Sequence, residues 1–578
     1  MELKRVNQEF YVADQITADD IAKIADQGIK TLICNRPDGE GADQPNVIEI
    51  EEAAQRHSLN VIYQPVISGK ITDQQVTEFK QLYQNAQKPV LAYCRSGMRA
   101  ISLWALAEVA PQDAALLVES GNKLGFNLKG LVPRILKRDH EPATIPCYSV
   151  VIVGAGAAGI SVASSLLSRE PHLDIVIIDP ADTHYYQPGW TMVGGGIFKP
   201  QVTARSMTSV IPSKVKWMKA AVAGFDPEHN QVILEGCQPI QYKALVVCPG
   251  LKLNWHGIEG LVETLGKNGV TSNYRYDLAP YTWELVQQLN GGKAIFTQPP
   301  MPIKCAGAPQ KAMYLSADYW LKQGKLKDIS IHFYNTGAVL FGVKEYVPAL
   351  MQYVEKYGTE LHFNHQLVKV DGSAKKAWFK VVNDENAALV ETDFDMLHVV
   401  PPQQAPDFIR ASTLTDEAGW VSVNPQTLQH TQHANIFALG DVMNAPNAKT
   451  AAAARAQAPI VAVNVIAQLK GEQNFCEYNG YGSCPLTVER GKIVLAEFGY
   501  GGKLLPSFPK WVIDGQKPSR LAWLLKEQIL PPIYWQGMLK GREWMVKPER
   551  GKTKQCFARA KDESCARVEE DKQSNALS

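Results

Sequence analysis

Residues 149–153, Ser149-Val150-Val151-Ile152-Val153, run straight into Gly154-Ala155-Gly156-Ala157-Ala158-Gly159, and this junction leaves few folds open. The apolar run predicts a buried parallel strand, and the spacing after the glycines predicts a helix over 160–168. Gly154 suits a tight turn, Gly156 lets backbone approach a pyrophosphate, and Gly159 lets the helix pack closely. A second strand, 175–178, ends in Asp179, placed for a ribose hydroxyl. Strand, glycine turn, helix and terminal acid together specify a dinucleotide-binding α/β unit.

A second signal lies far downstream. Asn435-Ile436-Phe437-Ala438-Leu439-Gly440-Asp441 reads as a strand ending in Gly-Asp. It resembles the second FAD motif of two-dinucleotide-domain flavoproteins. That resemblance implies that Gly440 and Asp441 serve FAD, with Asp441 on the ribityl chain. Lys449-Thr450 then opens an alanine-rich helix whose positive end, with Lys449, would stabilise negative charge on reduced flavin; a solvated first-turn lysine is the plainer reading.

Flavoproteins that draw electrons from NAD(P)H carry another glycine turn between these two segments. Here strands at 294–297 and 329–334 flank Gln298-Pro299-Pro300-Met301-Pro302-Ile303-Lys304-Cys305-Ala306-Gly307. Prolines remove backbone donors, so a pyrophosphate would be poorly held and a second nucleotide is disfavoured. Cys305 falls in a strand-to-helix turn before a helix predicted over 310–321. Lys304 and the helix start favour its thiolate; a buried core cysteine is the alternative.

The first 137 residues alternate short apolar runs (31–34, 61–63, 90–93) with helical spacing (17–27, 74–84, 100–108), a small α/β domain. The third run ends in Cys94-Arg95-Ser96-Gly97-Met98-Arg99. Backbone amides, a helix start and Arg99 around Cys94 would hold an anion, suiting a nucleophile on phosphate or a carrier of sulfane sulfur. Protein tyrosine phosphatases use a loop one residue longer, and Ala100 stands at that position; the shorter loop resembles rhodanese sulfurtransferases. The wider unit, with Ile33-Cys34-Asn35-Arg36-Pro37-Asp38-Gly39-Glu40, resembles a bacterial domain family of phosphatase-like fold that is often fused to sulfur-metabolising enzymes. Sulfur transfer is the leading expectation. A phosphatase, with Asp38 or Asp43 as general acid, and a non-catalytic loop stay open.

Three further motifs sharpen the picture: His184-Tyr185-Tyr186-Gln187-Pro188-Gly189-Trp190-Thr191 with Val193-Gly194-Gly195-Gly196, the stretch from Lys304 to Leu315, and Tyr481-Gly482-Ser483-Cys484-Pro485-Leu486. Together they resemble the sulfide:quinone oxidoreductases of the type shared by bacteria and mitochondria, over about residues 150–544. The resemblance implies that Cys305 and Cys484 form a redox pair beside FAD, oxidise sulfide to a persulfide and deliver electrons to a quinone, ubiquinone or menaquinone. It implies a low-molecular-weight thiol or sulfite as sulfur acceptor, and leaves the role of each cysteine open. Cys248 reads as core.

A quinone requires contact with a bilayer. Residues 506–544 mix Trp511, Trp523, Trp535 and Trp544 with Leu521, Leu524, Leu525, Ile529, Leu530, Ile533 and Tyr534, edged by Lys510, Lys526, Lys540 and Arg542. Pro531-Pro532 is expected to split this segment into two short amphipathic helices lying in the headgroup layer; a dimer interface or a core flap would share the composition.

The expected organisation is α/β: a phosphatase-like or rhodanese-like domain (1–137), a linker (138–148), an FAD-binding Rossmann-like domain (149–290 and 400–470), a second Rossmann-like domain lacking the nucleotide loop (291–399), a redox-cysteine and membrane-anchoring region (471–548) and a disordered tail (549–578) in which Cys556 and Cys565 take no role. At 578 residues the chain needs several domains. Lys+Arg 59 against Asp+Glu 58 excludes a global field for nucleic acid. Cysteine spacing assigns no metal site. The start shows no secretory pattern and no run of about 18 apolar residues occurs, so a cytoplasmic protein on the inner face of the cell membrane is expected. The leading expectation is an FAD-dependent sulfide:quinone oxidoreductase with Cys94 and Arg99 handling sulfane sulfur, homo-oligomer formation left open. The rivals are a flavoprotein like a type II NADH:quinone oxidoreductase, and an N-terminal phosphatase.

Overall fold

The computed structural model describes residues 3–548 apart from 42–43, 110–112, 137–144, 236–238, 385–387 and 473–474. Most of the expected linker, Asp43, and the tail with Cys556 and Cys565 lie outside the described residues. Three mainly parallel sheets organise the rest.

The N-terminal sheet runs Lys4–Arg5, Phe10–Ala13, Val90–Tyr93, Thr31–Cys34, Asn60–Tyr63. Only its first hairpin is antiparallel. Val90–Tyr93 is central and wholly buried, as a continuous apolar parallel strand should be. It feeds, through Cys94, the helix Met98–Glu108.

The flavoprotein sheet runs Lys216–Met218, Ile175–Ile178, Cys147–Val153, Ile240–Val247, Gln231–Leu234, Val222–Asp226, with Ile436–Ala438 also paired to Ile240–Val247. Ile240–Val247 is therefore flanked in parallel by the fingerprint strand and by the strand that ends in Gly440-Asp441. This register brings the two distant motifs to one edge. The first strand starts at Cys147, two residues before the expected domain boundary, because Cys147 and Tyr148 pair with Gln241 and Tyr242. Helices Ala157–Arg169 and Ala451–Leu469 pack against each other behind the two turns.

The third sheet is all parallel: Val270–Thr271, Met396–His398, Gly292–Gln298, Ile329–Asn335, Glu360–Phe363. It takes in Val270–Thr271 and so begins before residue 291. A strand of two residues leaves no readable period. The hairpin Gly482–Glu489 and Lys492–Phe498 lies on helix Ala308–Lys322, sharing a core of Leu486, Val488, Val494 and Ala496 with Met313, Tyr314 and Ala317.

The C-terminal segment corrects one expectation. Residues 520–540 form one continuous helical run despite Pro531-Pro532. Wide π-type turns at Leu525–Ile529 and Ile533–Gly537 shift the hydrogen-bond register around the two imide nitrogens, which have no N–H to give. Tyr534 and Trp535 are core, not anchor. The Tyr534 hydroxyl lies 2.7 Å from His184 Nε2, its ring packs 4.7 Å from that of Tyr186, and Arg205 sits 4.1 Å over Trp535. Trp511, at 87% exposure, and Leu521, Leu524 and Ile529 face outward. No helix among the described residues is long and apolar enough to cross a membrane.

We expect Trp535→Ala to lower the stability of the flavoprotein part by about 3–5 kcal/mol in chemical unfolding. Trp511→Ala should leave the unfolding curve in place. Equal effects of the two changes would contradict this division of the segment.

Candidate active site

Cys305 and Cys484, expected to pair, come from elements that meet only in three dimensions. Cys305 precedes helix Ala308–Lys322, and Cys484 lies on the strand Gly482–Glu489 packed against that helix. Their sulfurs are 3.7 Å apart. Gly307 makes this approach possible: a Cβ there would lie 2.5 Å from Cys484 Sγ and 2.4 Å from Leu486 Cδ2.

Cys305 has φ +52°, a left-handed conformation unfavourable for a side chain. Surrounding bonds hold it. Its N–H donates to the Lys449 carbonyl (2.8 Å), the Lys304 N–H to Gln403 Oε1 (2.7 Å), and the Tyr274 hydroxyl to the Lys304 and Cys305 carbonyls (2.9 and 3.3 Å). A strained residue so over-determined marks a functional turn.

The two thiols are driven apart electrostatically. Lys311, buried in the first turn of the helix, donates to Cys305 Sγ at 3.1 Å and reaches Cys484 Sγ only at 4.0 Å. The Cys484 thiol, the Lys311 ammonium and Lys526 hold the Cys305 thiol well below its ordinary range against the opposing effect of burial. Hydrogen bonding to Cys305 and burial push Cys484 well above it. Burial works against Lys311's own charge, but the two sulfurs raise it to about 12. Lys526, also buried, is lowered to about 7 by burial and by Lys311, while its ammonium donates to the Pro188 carbonyl at 3.0 Å.

The residues around the two glycine motifs fit FAD. A Cβ on Gly154 would meet the Cys248 carbonyl at 2.6 Å and one on Gly159 the Gly154 carbonyl at 1.8 Å, whereas nothing lies within 4 Å of Gly156. Bare backbone thus faces open space at a helix start, where a pyrophosphate binds. Asp179 accepts from the Ala155 and Ala181 amides (2.7 and 2.8 Å), anchoring the turn and keeping lone pairs for a ribose hydroxyl. Gly440, at φ +79°, lies against Ala158. The Asp441 carboxyl, raised by burial, makes no hydrogen bond among the described residues and is open to a ribityl hydroxyl. Lys449 is not solvated. Burial lowers it to about 8, and its ammonium braces the Asp441 turn through the Asp441 and Met443 carbonyls at 2.8 and 2.7 Å. Cys248 is core, as expected.

In the N-terminal domain Cys94 is wholly buried, and Gly97 at φ +81° turns the loop into its helix. The two terminal nitrogens of Arg99 are paired, while its buried Nε has no hydrogen-bond partner among the described residues. Arg99 donates twice to the Glu40 carboxylate (2.8 and 2.7 Å) and once to the Val66 carbonyl (3.0 Å). Burial alone would push Glu40 up, but Arg99 and Arg36 hold it down. Asp38 accepts from the Val47 amide at 3.0 Å and so caps a helix. The mouth of the loop is closed from outside: Arg95 and Ser96 both engage the carboxylate of Glu235, a buried residue of the flavoprotein domain, and Arg95 reaches the Val222 carbonyl at 3.3 Å.

Of the residues expected from sequence, the structure brings Cys305 beside Cys484 and both glycine motifs to one edge. Lys311, Tyr274 and Glu235 escape a reading of the sequence, and Lys526 belongs to this site instead of the rim of an anchor. The position of Lys311 on the helix behind Cys305 is the one available signal.

Residues 2–111 match the family described as Beta-lactamase hydrolase-like protein, phosphatase-like domain, and residues 148–283 match Pyridine nucleotide-disulphide oxidoreductase. The Beta-lactamase hydrolase-like protein of Xylella fastidiosa (strain Temecula1) is 33% identical over 109 residues, 19% of this chain and 25% of that one. The crystallographic sulfide:quinone oxidoreductase of Aquifex aeolicus superposes with a TM-score of 0.59 at 18% identity, covering 72% of this chain and all of that one, which shows a shared fold. The mitochondrial sulfide:quinone oxidoreductase of Dictyostelium discoideum is 43% identical over 401 residues, 69% of this chain and 87% of that one. Likeness at that level, over so much of the relative, places the chain in the sulfide:quinone oxidoreductase family, with a phosphatase-like domain in its first 111 residues.

Proposed function

We propose that the Cys305–Cys484 pair oxidises sulfide to sulfane sulfur and that the electrons pass through FAD to a quinone. The observation that carries this reading is the asymmetric pair itself, two sulfurs 3.7 Å apart with Lys311 on one of them. In the oxidised pair, hydrosulfide attacks Cys484 Sγ. The new S–S bond leaves Cys484 as a persulfide, and the old one breaks with its electron pair on Cys305, the better leaving group because its thiolate is stabilised. Transfer of the outer sulfur to a thiol or sulfite leaves Cys484 as a second thiolate. Re-forming the Cys305–Cys484 bond then releases the two electrons that reduce a quinone. When bound at Gly154, Gly156, Gly159, Asp179, Gly440 and Asp441, FAD supplies the two-electron relay between thiolate and quinone. Lys526, titrating near 7, can hold or give a proton beside the sulfurs.

The outward face of Trp511, Leu521, Leu524 and Ile529 supports a chain that lies on the inner surface of the cell membrane, where ubiquinone or menaquinone is reached. Cys94 accepts the sulfane sulfur. Because Glu235 closes its loop, acceptance requires the two domains to part at Arg95 and Ser96. The phosphatase-like match supports phosphoryl transfer as a second reading of Cys94. Ala100, at the position of the arginine in the longer phosphatase loop, favours sulfur. Turnover of an aryl phosphate that disappears in Cys94→Ser would reverse that choice.

Four outcomes test the proposal. Sulfide should bleach the flavin anaerobically and support quinone reduction, with Cys305→Ser and Cys484→Ser each losing both; Leu524→Glu should lose reduction of a quinone in vesicles but retain reduction of a water-soluble one. Bleaching by NADH in place of sulfide would sink the assignment. Lys311→Met should move the Cys305 titration upward, because the ammonium that favours its thiolate is gone. Cys305 is then protonated over a wider range, so the pH profile of sulfide oxidation should lose activity at low pH and recover as pH rises. Finally, Glu235→Gln should raise the alkylation rate of Cys94 several-fold while quinone reduction is unchanged. An unchanged rate would show that Glu235 does not gate the loop.

A further inference from the structure

Away from the redox site, two imidazoles and a carboxylate converge on one face of the third sheet. His332 lies on Ile329–Asn335, and Glu360 and His362 lie on the neighbouring edge strand Glu360–Phe363; the parallel register sets His332 beside Glu360 and Tyr334 beside His362. Side chains two apart share a face, so all three point to the same side. His332 Nδ1 is 3.0 Å from His362 Nε2 and 3.5 Å from Glu360 Oε2, and His362 Nε2 is 4.0 Å from the same carboxylate oxygen.

Their surroundings hold this arrangement in place. The other nitrogen of His332 lies 2.6 Å from the Ser330 hydroxyl. With the Nε2 proton given to Ser330, the Nδ1 lone pair faces Glu360 and His362, the outer hydrogen bond that orients metal-ligating histidines. His362 is stacked on Tyr334 with ring centroids 4.2 Å apart, and Tyr334 is stacked on Phe379 at 3.8 Å. Lys293, the nearby cation, is engaged with Thr392 at 2.9 Å and does not fill the position between the three groups. Glu360, 62% exposed, leaves one side open to solvent.

We propose that His332, His362 and Glu360 form a binding site for a divalent transition-metal ion of the zinc type, with solvent completing the coordination. Two imidazole nitrogens and one carboxylate oxygen select zinc, cobalt or nickel over magnesium and calcium, which take oxygen ligands. The ion would tie the edge strand Glu360–Phe363 to Ile329–Asn335. The latter pairs along its length with Gly292–Gln298, which leads into the Cys305 turn. Metal loading would therefore stiffen the domain that presents Cys305 without entering the sulfur chemistry.

The test uses the full-length flavoprotein, titrated with zinc and, separately, with cobalt, and freed of loose metal by gel filtration. We expect one ion per chain, a thermal midpoint raised by zinc, and a cobalt spectrum without thiolate charge-transfer bands. His362→Ala and Glu360→Gln should each weaken zinc binding by about tenfold or more and abolish the thermal shift, with sulfide-dependent quinone reduction unchanged. The exposure of Glu360 makes its variant safe against misfolding. No retained ion, equal retention in both variants, or a thiolate band that places the ion on the cysteines would each overturn the site; a bare N–H···N bond between the two rings would then account for the geometry.

Discussion

A buried ammonium is the constraint on which the arrangement of Cys305 and Cys484 depends. Lys311 is 3% exposed inside an apolar helix interface, and such a charge survives only with anionic partners. Its helix supplies one partner from the turn just before it, and the hairpin on the same helix supplies the other. The cation thus favours negative charge on Cys305 over Cys484, being nearly an ångström closer to the first than to the second. A symmetric dithiol would give its two sulfurs no electrostatic difference. Here the asymmetry is set by helix geometry.

The parts of this centre differ in how readable they are. The strand, glycine turn and helix at 149–168 are legible because each rests on local spacing. The proline-lined turn at Cys305 is legible by contrast with the glycine turn that it lacks. The pairing with Cys484, 179 residues away, comes from resemblance to a family and from no feature of composition or spacing. Lys526 misleads for an instructive reason: among tryptophans and leucines a lysine looks like the charged rim of an interfacial helix, whereas its side chain turns inward to the sulfurs. Trp535 misleads by the same logic, since aromatic residues serve a core and a membrane surface equally well. The expected break at Pro531-Pro532 ignores the ability of wider turns to absorb missing donors.

The N-terminal domain shows the same limit from another side. Cys94 and its loop are visible in the sequence because a cysteine at the end of a buried strand is a local pattern. The state of that loop is not. The terminal nitrogens of Arg99 are paired within its own domain by Glu40, and the outward-facing Arg95 and Ser96 engage a carboxylate 139 residues beyond the serine. Two domains that read as independent modules therefore share an ion pair beside Cys94.

The order of strands in the flavoprotein sheet also bears on how the protein is made. The N-terminal sheet draws all five strands from residues 4–93, so it can close while the rest of the chain is still being synthesised. The flavoprotein sheet cannot. Its central strand Ile240–Val247 waits for Ile436–Ala438, which is made only after the strands of the third sheet. A nascent chain must hold an open parallel edge along residues 245–247 throughout that time, which makes this the slow and aggregation-exposed stage of assembly.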